Sequence, residues 1–468
     1  MQEEADERHR NASFVAVGVL VPSHGRLGRA WAHADELVKL AGELVREPSD
    51  TRALELFWQK HKLDENAKGG DASPSARRES LVAGLKRKRR PSDASGILKP
   101  DVSAKHPALH MPALLDSFGP LLFPLYRAAL LRKRILLLGS PPVQRSCDAV
   151  YILSILASIP PALGELLQED IEPLFRAQPL FSVGVHDIPE LSSRSDRSGW
   201  IATTTDDILG EKHQLYDVLV ELAPAAQGTQ HRWPKIRTSD GKVVKGTQRD
   251  LRRYRLLRSE LKRMQQARQK YRDSLDGDHD SHEHETRSLM RSGTGLKEDL
   301  QPEELQRGES EIVEPVSWTA MAYDSFMWWA SAGEQDAYEK EETSADRELL
   351  DDLPRIQEAI PLPTKDDADE DDLFQAEETA TVLTAYFHRM TSLIIRTLAG
   401  IVEEADDETE EGIEEDTLAV SAEDMKRMGL DAWSEADKDF VREAMKLYLG
   451  RDAAVADNAV RMCGVRVC

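Results

Sequence analysis

The sequence predicts an α/β fold, with a compact layered domain between Leu114 and Leu222. Apolar residues come there in short blocks separated by Pro and Gly, as in LLDSFGPLLFPLYRAALLRKRILLLGSPP. The blocks follow each other as helix, strand, helix, strand, strand and helix, and the last two are GWIATTTDDIL and KHQLYDVLVEL. Short strands that alternate with helices pack as a sheet covered by helices, so this segment should contain the main core of the chain.

The same blocks predict which side chains form that core. A β-branched or leucine-rich run bounded by turn residues is typical of a buried strand, and the helix CDAVYILSILASI is apolar along most of its length. The predicted core residues are Ile135, Leu136, Leu137, Ile152, Leu156, Val183, Val185 and Ile201.

Composition restricts the class of protein. The chain has 468 residues, of which 40% are hydrophobic and 31% charged, and its formal net charge is −23. An acidic chain is poorly suited to binding nucleic acid, because it repels the phosphates. Three cysteines, Cys147, Cys463 and Cys468, do not form a disulfide framework, which favours a reducing, cytoplasmic compartment.

Neither a signal peptide nor a membrane span is expected. The N-terminus, MQEEADERHR, is polar and acidic. A spanning helix needs about 20 apolar residues. The most apolar stretch, Leu114 to Leu138, is interrupted by Pro124, Arg127 and the basic run Arg132 to Arg134.

The N-terminal region should contain one strand and two helices. The run Phe14 to Val21 ends at Pro22 and predicts a buried strand. Leu27 to Val45 has apolar residues at helical spacing, and Arg52 to Lys62 follows as a second helix. Residues 66–106 are rich in Lys, Arg, Ser, Gly and Pro and should form a linker.

A hairpin and a long basic helix should follow the central segment. Lys235 to Val244 reads as two short strands, and Asp240-Gly241 suits a type I′ turn between them. Thr247 or Asp250 should cap a helix that continues to about Arg272.

The rest of the chain should alternate between acidic linkers and helices. High charge and low apolar content predict mobile segments at 273–313 and 403–418, as at 66–106, and an acidic linker at 334–371. The predicted helices are Val316 to Ala332, Phe374 to Val402, Ser421 to Gly429 and Ser434 to Gly450. At the start of the last of these helices, Ser434 and Asp437 resemble a capping pair.

Three motifs suggest chemistry but fit structural roles better. Gly139-Ser140-Pro-Pro-Val lies where a phosphate-binding loop would, yet it lacks the GxxxxGK[ST] spacing and its prolines lack N–H donors. His186-Asp187 and Thr203 to Asp207 follow predicted strands, where a local hydrogen bond and a helix cap are the common arrangements. Acid–base or metal chemistry at these two loops is the less favoured alternative.

The basic helix has three readings, of which nucleic-acid binding is the least favoured. Its cations, from Arg252 to Arg272, accompany an apolar face formed by Leu251, Tyr254, Leu257, Leu261 and Met264. Such a helix can pair with the acidic segments of its own chain, which is the favoured reading. It can also lie on an anionic membrane or bind a partner.

Three further motifs are weak. Lys86 to Arg90 matches a nuclear-localisation pattern, which is common in linkers. Asp276 to Glu285 contains three histidines among acids, and such a flexible segment binds metal weakly at most. Cys463 and Cys468 have no second ligand pair nearby, whereas a structural zinc site needs four ligands. We therefore assign no catalytic, cofactor-binding or metal-ligating residue, and expect no cofactor.

Several segments together resemble the DENN-domain proteins. GPLLFPLYRAALLRKRILLLGSPPV is similar to their central lobe, in which a helix that ends in basic residues leads into a buried strand. FSVGVHDIP, GWIATTTDDIL, LYDVLVEL, GTQRDLRRYRLL, SFMWWASAGE and the C-terminal GLDAWSEADKDFVREAMKLYLGRDAAV resemble the narrower Lchn-type branch, which has many fungal members. The segments occur in the family's order from about residue 14 onward.

The resemblance implies the organisation and the activity. It implies a partial longin-like lobe at residues 1–65, a central DENN-like α/β lobe at 107–272 and a helical region at 314–468, joined by a linker at 66–106 and a disordered acidic insertion at 273–313. The earlier strands of a longin lobe are absent, which suggests that a longer reading frame exists upstream; a genuinely shortened lobe is the less favoured alternative. DENN-domain proteins typically act as guanine-nucleotide exchange factors for Rab GTPases.

The expected partner is therefore a Rab-family GTPase, with a possible peripheral contact to anionic membrane and no nucleic acid. The expected location is the cytoplasm or the surface of endomembranes. A scaffold or effector that binds a GTPase without speeding nucleotide release is the alternative.

Overall fold

The computed structural model describes residues 17–19, 33–46, 50–62, 106–168, 172–194, 199–223, 232–276, 311–315, 337–351, 353, 371–409, 417–456, 461–462 and 465–466. They belong to two compact units, Met1–His106 and Pro107–Cys468.

The first unit contains two of the predicted helices, α1 (Ala34–Arg46) and α2 (Arg52–His61). Helix α1 buries Leu40 and Leu44. Of the predicted strand Phe14 to Val21 only residues 17–19 are described, and they are not in a strand, so the prediction is wrong there. A strand needs a hydrogen-bonded neighbour, and the described part of this unit contains none.

A six-stranded sheet forms the centre of the second unit. Its spatial order is β2-β3-β1-β4-β5-β6, in which the first four strands are parallel and the last two antiparallel. The strands are β1 (Ile135–Leu138), β2 (Gln178–Ser182), β3 (Trp200–Thr204), β4 (Val218–Glu221), β5 (Lys235–Thr238) and β6 (Val243–Val244).

The central strand β1 explains why the apolar block around it is so continuous. It pairs with β3 on one side and β4 on the other, and Ile135, Leu136 and Leu137 are buried. Strands that are covered on both faces read as apolar runs without alternation. This pairing confirms the predicted α/β fold.

The segment Lys212 to Leu222 was predicted as a helix, and this prediction is wrong. Val218 to Glu221 form β4, in which Val218 lies opposite Ile135 of β1. Leu215, Val218, Leu219 and Leu222 fit helical spacing, but a short apolar run fits a buried strand equally well. The free edge of β1 decides between them, because its backbone groups need partners.

Seven of the eight predicted core residues are buried, and Val185 is the exception. It lies in a 3₁₀ turn, Val185–Asp187, after β2, and it is 46% exposed. Val183, two residues earlier, takes the inward position. The chain leaves the sheet between them, so strand alternation no longer governs which way Val185 points.

Helices pack around the sheet and extend the unit toward the C-terminus. In the described part of this unit the helices are α3 (Met111–Phe118), α4 (Leu122–Leu130), α5 (Gln144–Leu156), α6 (Ile188–Ser193), α7 (Asp207–Gly210), α8 (Gln248–Asp276), α9 (Ala337–Glu348), α10 (Asp371–Thr409), α11 (Ala422–Arg427) and α12 (Glu435–Leu449).

Helix α10 shares a core with the α/β lobe. The hydroxyl groups of Tyr126 and Thr391 are 2.7 Å apart, and the rings of Phe123 and Phe387 have centroids 5.8 Å apart. The helical C-terminal region therefore packs directly on the α/β layer. The domain boundaries given above remain predictions.

The acidic segments contain more regular structure than predicted. Helix α9 lies inside the predicted linker 334–371, and α10 continues to Thr409, inside the predicted mobile segment 403–418. Helix α8 extends to Asp276, and Val313 is buried and forms a β-bridge with Gly246, so both ends of the predicted insertion 273–313 are ordered. An acidic segment can be ordered when cations pair with its carboxylates. In α9, Asp346 pairs with the buried Arg249 and Arg253 of α8.

The hairpin turn and the cap of helix α12 also differ from the predictions. In the predicted hairpin, Gly241 has a φ of 87° but Asp240 does not have a positive φ, so the turn is not type I′, which needs both. Ser434 makes no capping hydrogen bond at α12, whereas Ser421 and Asp424 form a capping box at α11. Asp437 is used elsewhere, as described below.

The C-terminus adds two short ladders that were not predicted. β7 (Thr417–Val420) pairs in parallel with β8 (Asp452–Val455), and β9 (Arg461–Met462) pairs antiparallel with β10 (Val465–Arg466). The predicted strand residues 14–16 and 20–21, the helix 316–332, and most of the linker 66–106 lie outside the described residues.

Candidate functional site

The apolar face of the basic helix α8 is buried inside the protein. Tyr254, Leu257, Leu261 and Met264 are each 5% exposed or less. A surface that already packs against the protein's own core cannot also insert into a lipid headgroup layer. The structure thus favours the intramolecular reading of this helix.

The cations of α8 are paired with acidic side chains of the same chain. Arg249 and Arg253 are buried, and both contact Asp346 of α9, at 3.2 and 2.5 Å from its Oδ1. Arg252 of α8 forms an ion pair with Glu342, which also lies in α9. Further pairs join Arg258 to Asp116, Arg263 to Glu260, and Arg268 to Glu378.

Asp346 is held as an anion by these arginines. Burial alone would raise the pKa of its carboxyl group, but Arg253 and Arg249 outweigh this effect and lower the pKa. Arg249 also donates to the carbonyl oxygen of Leu430, at 3.0 Å. One cationic turn of α8 thus holds both α9 and the loop between α11 and α12.

A second buried ionic group joins three helices. Arg127 of α4 donates two hydrogen bonds to Asp250 of α8 and lies 3.1 Å from Oδ1 of Asp437 in α12. Asp250 also caps α8, because its carboxylate accepts from the Thr247 N–H and its own N–H donates to the Thr247 hydroxyl. Burial raises the pKa of Asp437 to about 6, although Arg127 acts against this shift. These groups are too enclosed to reach a partner, so their role is structural.

An accessible candidate surface lies at the carboxyl edge of the parallel strands. β1, β2 and β3 end at the same edge, because they run in parallel. The segments after them carry exposed apolar side chains: Val143 is 39% exposed, Val185 46% and Ile208 55%. We call these three residues the carboxyl-edge trio. In open α/β sheets this edge is the usual place for ligands, and exposed apolar side chains there are candidates for contact with a partner.

The sequence-predicted residues at this edge have local structural roles. Asp187 accepts a hydrogen bond from the Gly184 N–H at 2.8 Å, and its Oδ2 lies 3.3 Å from Nε2 of His186. Asp206 occupies the N-cap position of α7 without a side-chain capping bond. The His186 side chain is 85% exposed.

The loop Gly139 to Val143 is a strand-to-helix turn, as predicted. The Gly139 N–H donates to the Thr204 carbonyl oxygen at 3.0 Å, which ties the end of β1 to β3. Helix α5 begins at Gln144.

The basic run before β1 is also used inside the fold. The Arg132 guanidinium is buried and donates to the carbonyl oxygens of Ala129, Ala157 and Leu174. Arg134 pairs with Asp217 at 2.7 Å. This run therefore fixes the helices against the sheet.

Several candidates lie outside the described residues: the basic run Lys86 to Arg90, the His-containing segment from 277 to 285, and Cys463 and Cys468. Cys147 is half-buried, and burial raises the pKa of its thiol. A raised pKa keeps the thiol protonated and unreactive.

One cluster was missed by sequence reasoning. His33, Glu36 and His61 of the first unit bring their ligand atoms within 4.8 Å of one another. The His-x-x-Glu spacing before and in α1 was the available signal. The third residue lies 25 positions after Glu36, so only the structure brings it near.

Among the described residues, no helix is both long and apolar enough to cross a bilayer.

Comparison with known families gives two matches. Residues 1–232 match the family described as DENN domain-containing protein 11. Residues 313–418 and 409–468 match a domain of unknown function (DUF4484). The first match includes the parallel strands and the carboxyl-edge trio.

Curated relatives are similar over part of their length. An uncharacterized protein of Saccharomyces cerevisiae, ANR2, is 24% identical over 75% of this chain and 58% of its own. DENN domain-containing protein 11 of Danio rerio is 31% identical over 46% of this chain and 40% of its own, and that of Mus musculus is 30% identical over 50% and 47%. The chain thus spans between 40% and 58% of these relatives. No solved structure matches it.

Proposed function

Because this chain is a DENN-domain protein, we propose that it regulates a Rab-family GTPase in membrane traffic, as a guanine-nucleotide exchange factor. The observation that carries the proposal is the family match over residues 1–232. DENN-domain proteins are generally exchange factors of this kind. The proposed place of action is the cytoplasm and the surface of endomembranes.

Exchange requires binding energy and no bond-making group. An exchange factor binds the nucleotide-free GTPase more tightly than the nucleotide-bound form, and this difference weakens nucleotide binding by the same factor. A hundredfold preference corresponds to about 2.7 kcal/mol. For this reason we assign no catalytic residue, and we look for a contact surface instead.

We place the contact with the GTPase at the carboxyl-edge trio, Val143, Val185 and Ile208. Their exposure leaves apolar area that a partner would bury, and the ordered sheet and turns behind them need no rearrangement. Apolar anchors on a rigid element contribute most of the energy in typical interfaces.

Release of labelled GDP from a panel of purified Rab proteins tests the activity. At least one member should release GDP faster in the presence of the full chain, and the EDTA-stripped form of that member should be retained in pull-downs in preference to loaded forms. If no member responds and binding is indifferent to nucleotide, the protein is not an exchange factor and the scaffold or effector alternative is favoured.

Paired variants test the surface. Val185→Asp with Ile208→Asp should reduce the acceleration at least tenfold without lowering the melting temperature. Val243→Asp is the matched control, since this valine is 65% exposed on β6, at the opposite side of the sheet. Equal loss in the control and the double variant would show that the carboxyl edge is not the contact.

A further inference from the structure

We propose that His33, Glu36 and His61 form a binding site for a divalent ion of the zinc class, which links α1 to α2. His33 directly precedes α1 and Glu36 lies in its first turn, so the three-residue spacing puts both on one side of the helix. His61 is the last residue of α2.

The distances suit a single ion. The ligand atoms all lie within 4.8 Å of one another, and Nε2 of His61 is 2.8 Å from Oε2 of Glu36. The two imidazole rings have centroids 4.5 Å apart, with planes at 72°. Tetrahedral zinc with bonds of about 2.0–2.1 Å needs its ligand atoms about 3.3 Å apart. Side-chain movements of about 1–2 Å achieve this.

The ligand types fit that class of metal. Two imidazoles and one carboxylate form an open three-ligand set, in which water takes the fourth position. All three residues are partly exposed, so an ion and its water can enter from solvent.

Neighbouring side chains support the ligands. The ring of Phe57 lies 4.6 Å from that of His61 and 5.6 Å from that of His33, measured between centroids, and restricts both. Lys60 forms an ion pair with Oε1 of Glu36, while Oε2 faces Nε2 of His61, so a bound ion would replace the hydrogen bond between these two ligand atoms. The carboxylate is thus oriented by a second contact, as is usual for metal ligands. The ammonium group also repels a cation, so it should weaken the site.

The alternative is a hydrogen-bonded cluster with no metal function. A titration must also exclude the histidines of the segment DGDHDSHEHE and the three cysteines. The experiment therefore uses the full chain with His279, His282 and His284 replaced by Asn. Zn²⁺ is titrated by calorimetry, and Co²⁺ serves as a spectroscopic probe.

One Zn²⁺ should bind per chain, and His33→Gln or His61→Gln should each weaken binding by more than about 10- to 100-fold, the loss typical when a group that only supports a ligand is removed. His213→Gln, in the second unit, is the control and should leave binding unchanged. Lys60→Met should tighten binding. Bound Co²⁺ should give visible d–d bands without thiolate charge transfer. Circular dichroism verifies that the variants are folded. If no saturable binding occurs, if His33→Gln and His61→Gln bind like their parent, or if thiolate bands appear, the site is refuted.

Discussion

Arg127 and Asp250 are joined by two parallel hydrogen bonds of 2.9 and 2.7 Å, although 123 positions separate them in the chain. Both side chains are almost fully buried. This pair connects the α/β lobe to the start of the long helix α8, and through Asp437 it reaches α12. The stability of the second unit should therefore depend on it.

Removal of one partner tests this dependence. Asp250→Ala leaves a buried guanidinium with fewer partners and removes the cap of α8, so the free energy of unfolding should fall by about 3–5 kcal/mol. Urea denaturation followed by tryptophan fluorescence measures the change. Asp439→Ala breaks an exposed pair with Arg442 and should leave the urea midpoint near that of the wild type. Equal midpoints for the two variants would contradict the assignment.

The pH dependence of stability should be partly set by Asp431. Burial raises the pKa of this carboxyl group to about 6, from 3.8. A carboxyl group whose pKa is raised in the folded state stabilises the fold at low pH, and this contribution is lost as the pH rises from about 4 to about 6.

Asp431→Asn should remove the loss of stability that ionisation of Asp431 causes as the pH rises. The amide oxygen can still accept the hydrogen bond from the Trp433 N–H, which is 2.9 Å in the native protein. The variant should be about 1–3 kcal/mol more stable than the wild type at pH 7.5, and the difference should vanish below pH 4. Urea midpoints across this range check it, with Asp439→Asn as the control for charge. A variant less stable than the wild type at pH 7.5 would show that the ionised form is preferred.

Substitution of two glycines should distinguish the stability cost of a steric clash from the cost of a left-handed backbone conformation. Gly199 and Gly241 have positive φ angles of 60° and 87°. A Cβ on Gly199 would lie 2.1 Å from the Arg132 carbonyl oxygen, whereas a Cβ on Gly241 would meet nothing within 4 Å. Gly241→Ala should cost about 1–2 kcal/mol, from the left-handed conformation alone. Gly199→Ala should cost clearly more, about 3 kcal/mol or above, because β3 must shift. Thermal unfolding of both variants measures the difference, and similar losses would contradict the close approach.

The attachment of α9 should depend on Asp346. Asp346→Ala removes the carboxylate that Arg249 and Arg253 share, so amide hydrogen exchange within Ala337–Glu348 should accelerate strongly. Glu348→Ala, an exposed change at the end of the same helix, is the control. Unchanged protection in the Asp346 variant would mean that α9 is held by apolar contacts instead.

Much of the fold could be predicted from local patterns. The period of apolar residues in α10 and α8 and the run in β1 carry their own signal, because one face or both faces of these elements are buried. The capping residues Thr247 and Asp250 were likewise visible, since the cap and the helix it starts are neighbours in the chain. The carboxyl-edge trio was not predicted as a surface, and Val185, one of its members, was predicted to lie in the core.

The sequence by itself determined the α/β class and most helix positions. It also determined that the loop Gly139 to Val143 is unsuited to binding phosphate. Only the tertiary structure decided that Val218 to Glu221 form a strand, that acidic α9 is ordered, and that His61 joins His33 and Glu36. The reason is physical: each outcome depends on a partner far away in the chain. The open edge of β1, the buried arginines of α8 and the end of α2 supply those partners, and no local periodicity encodes them.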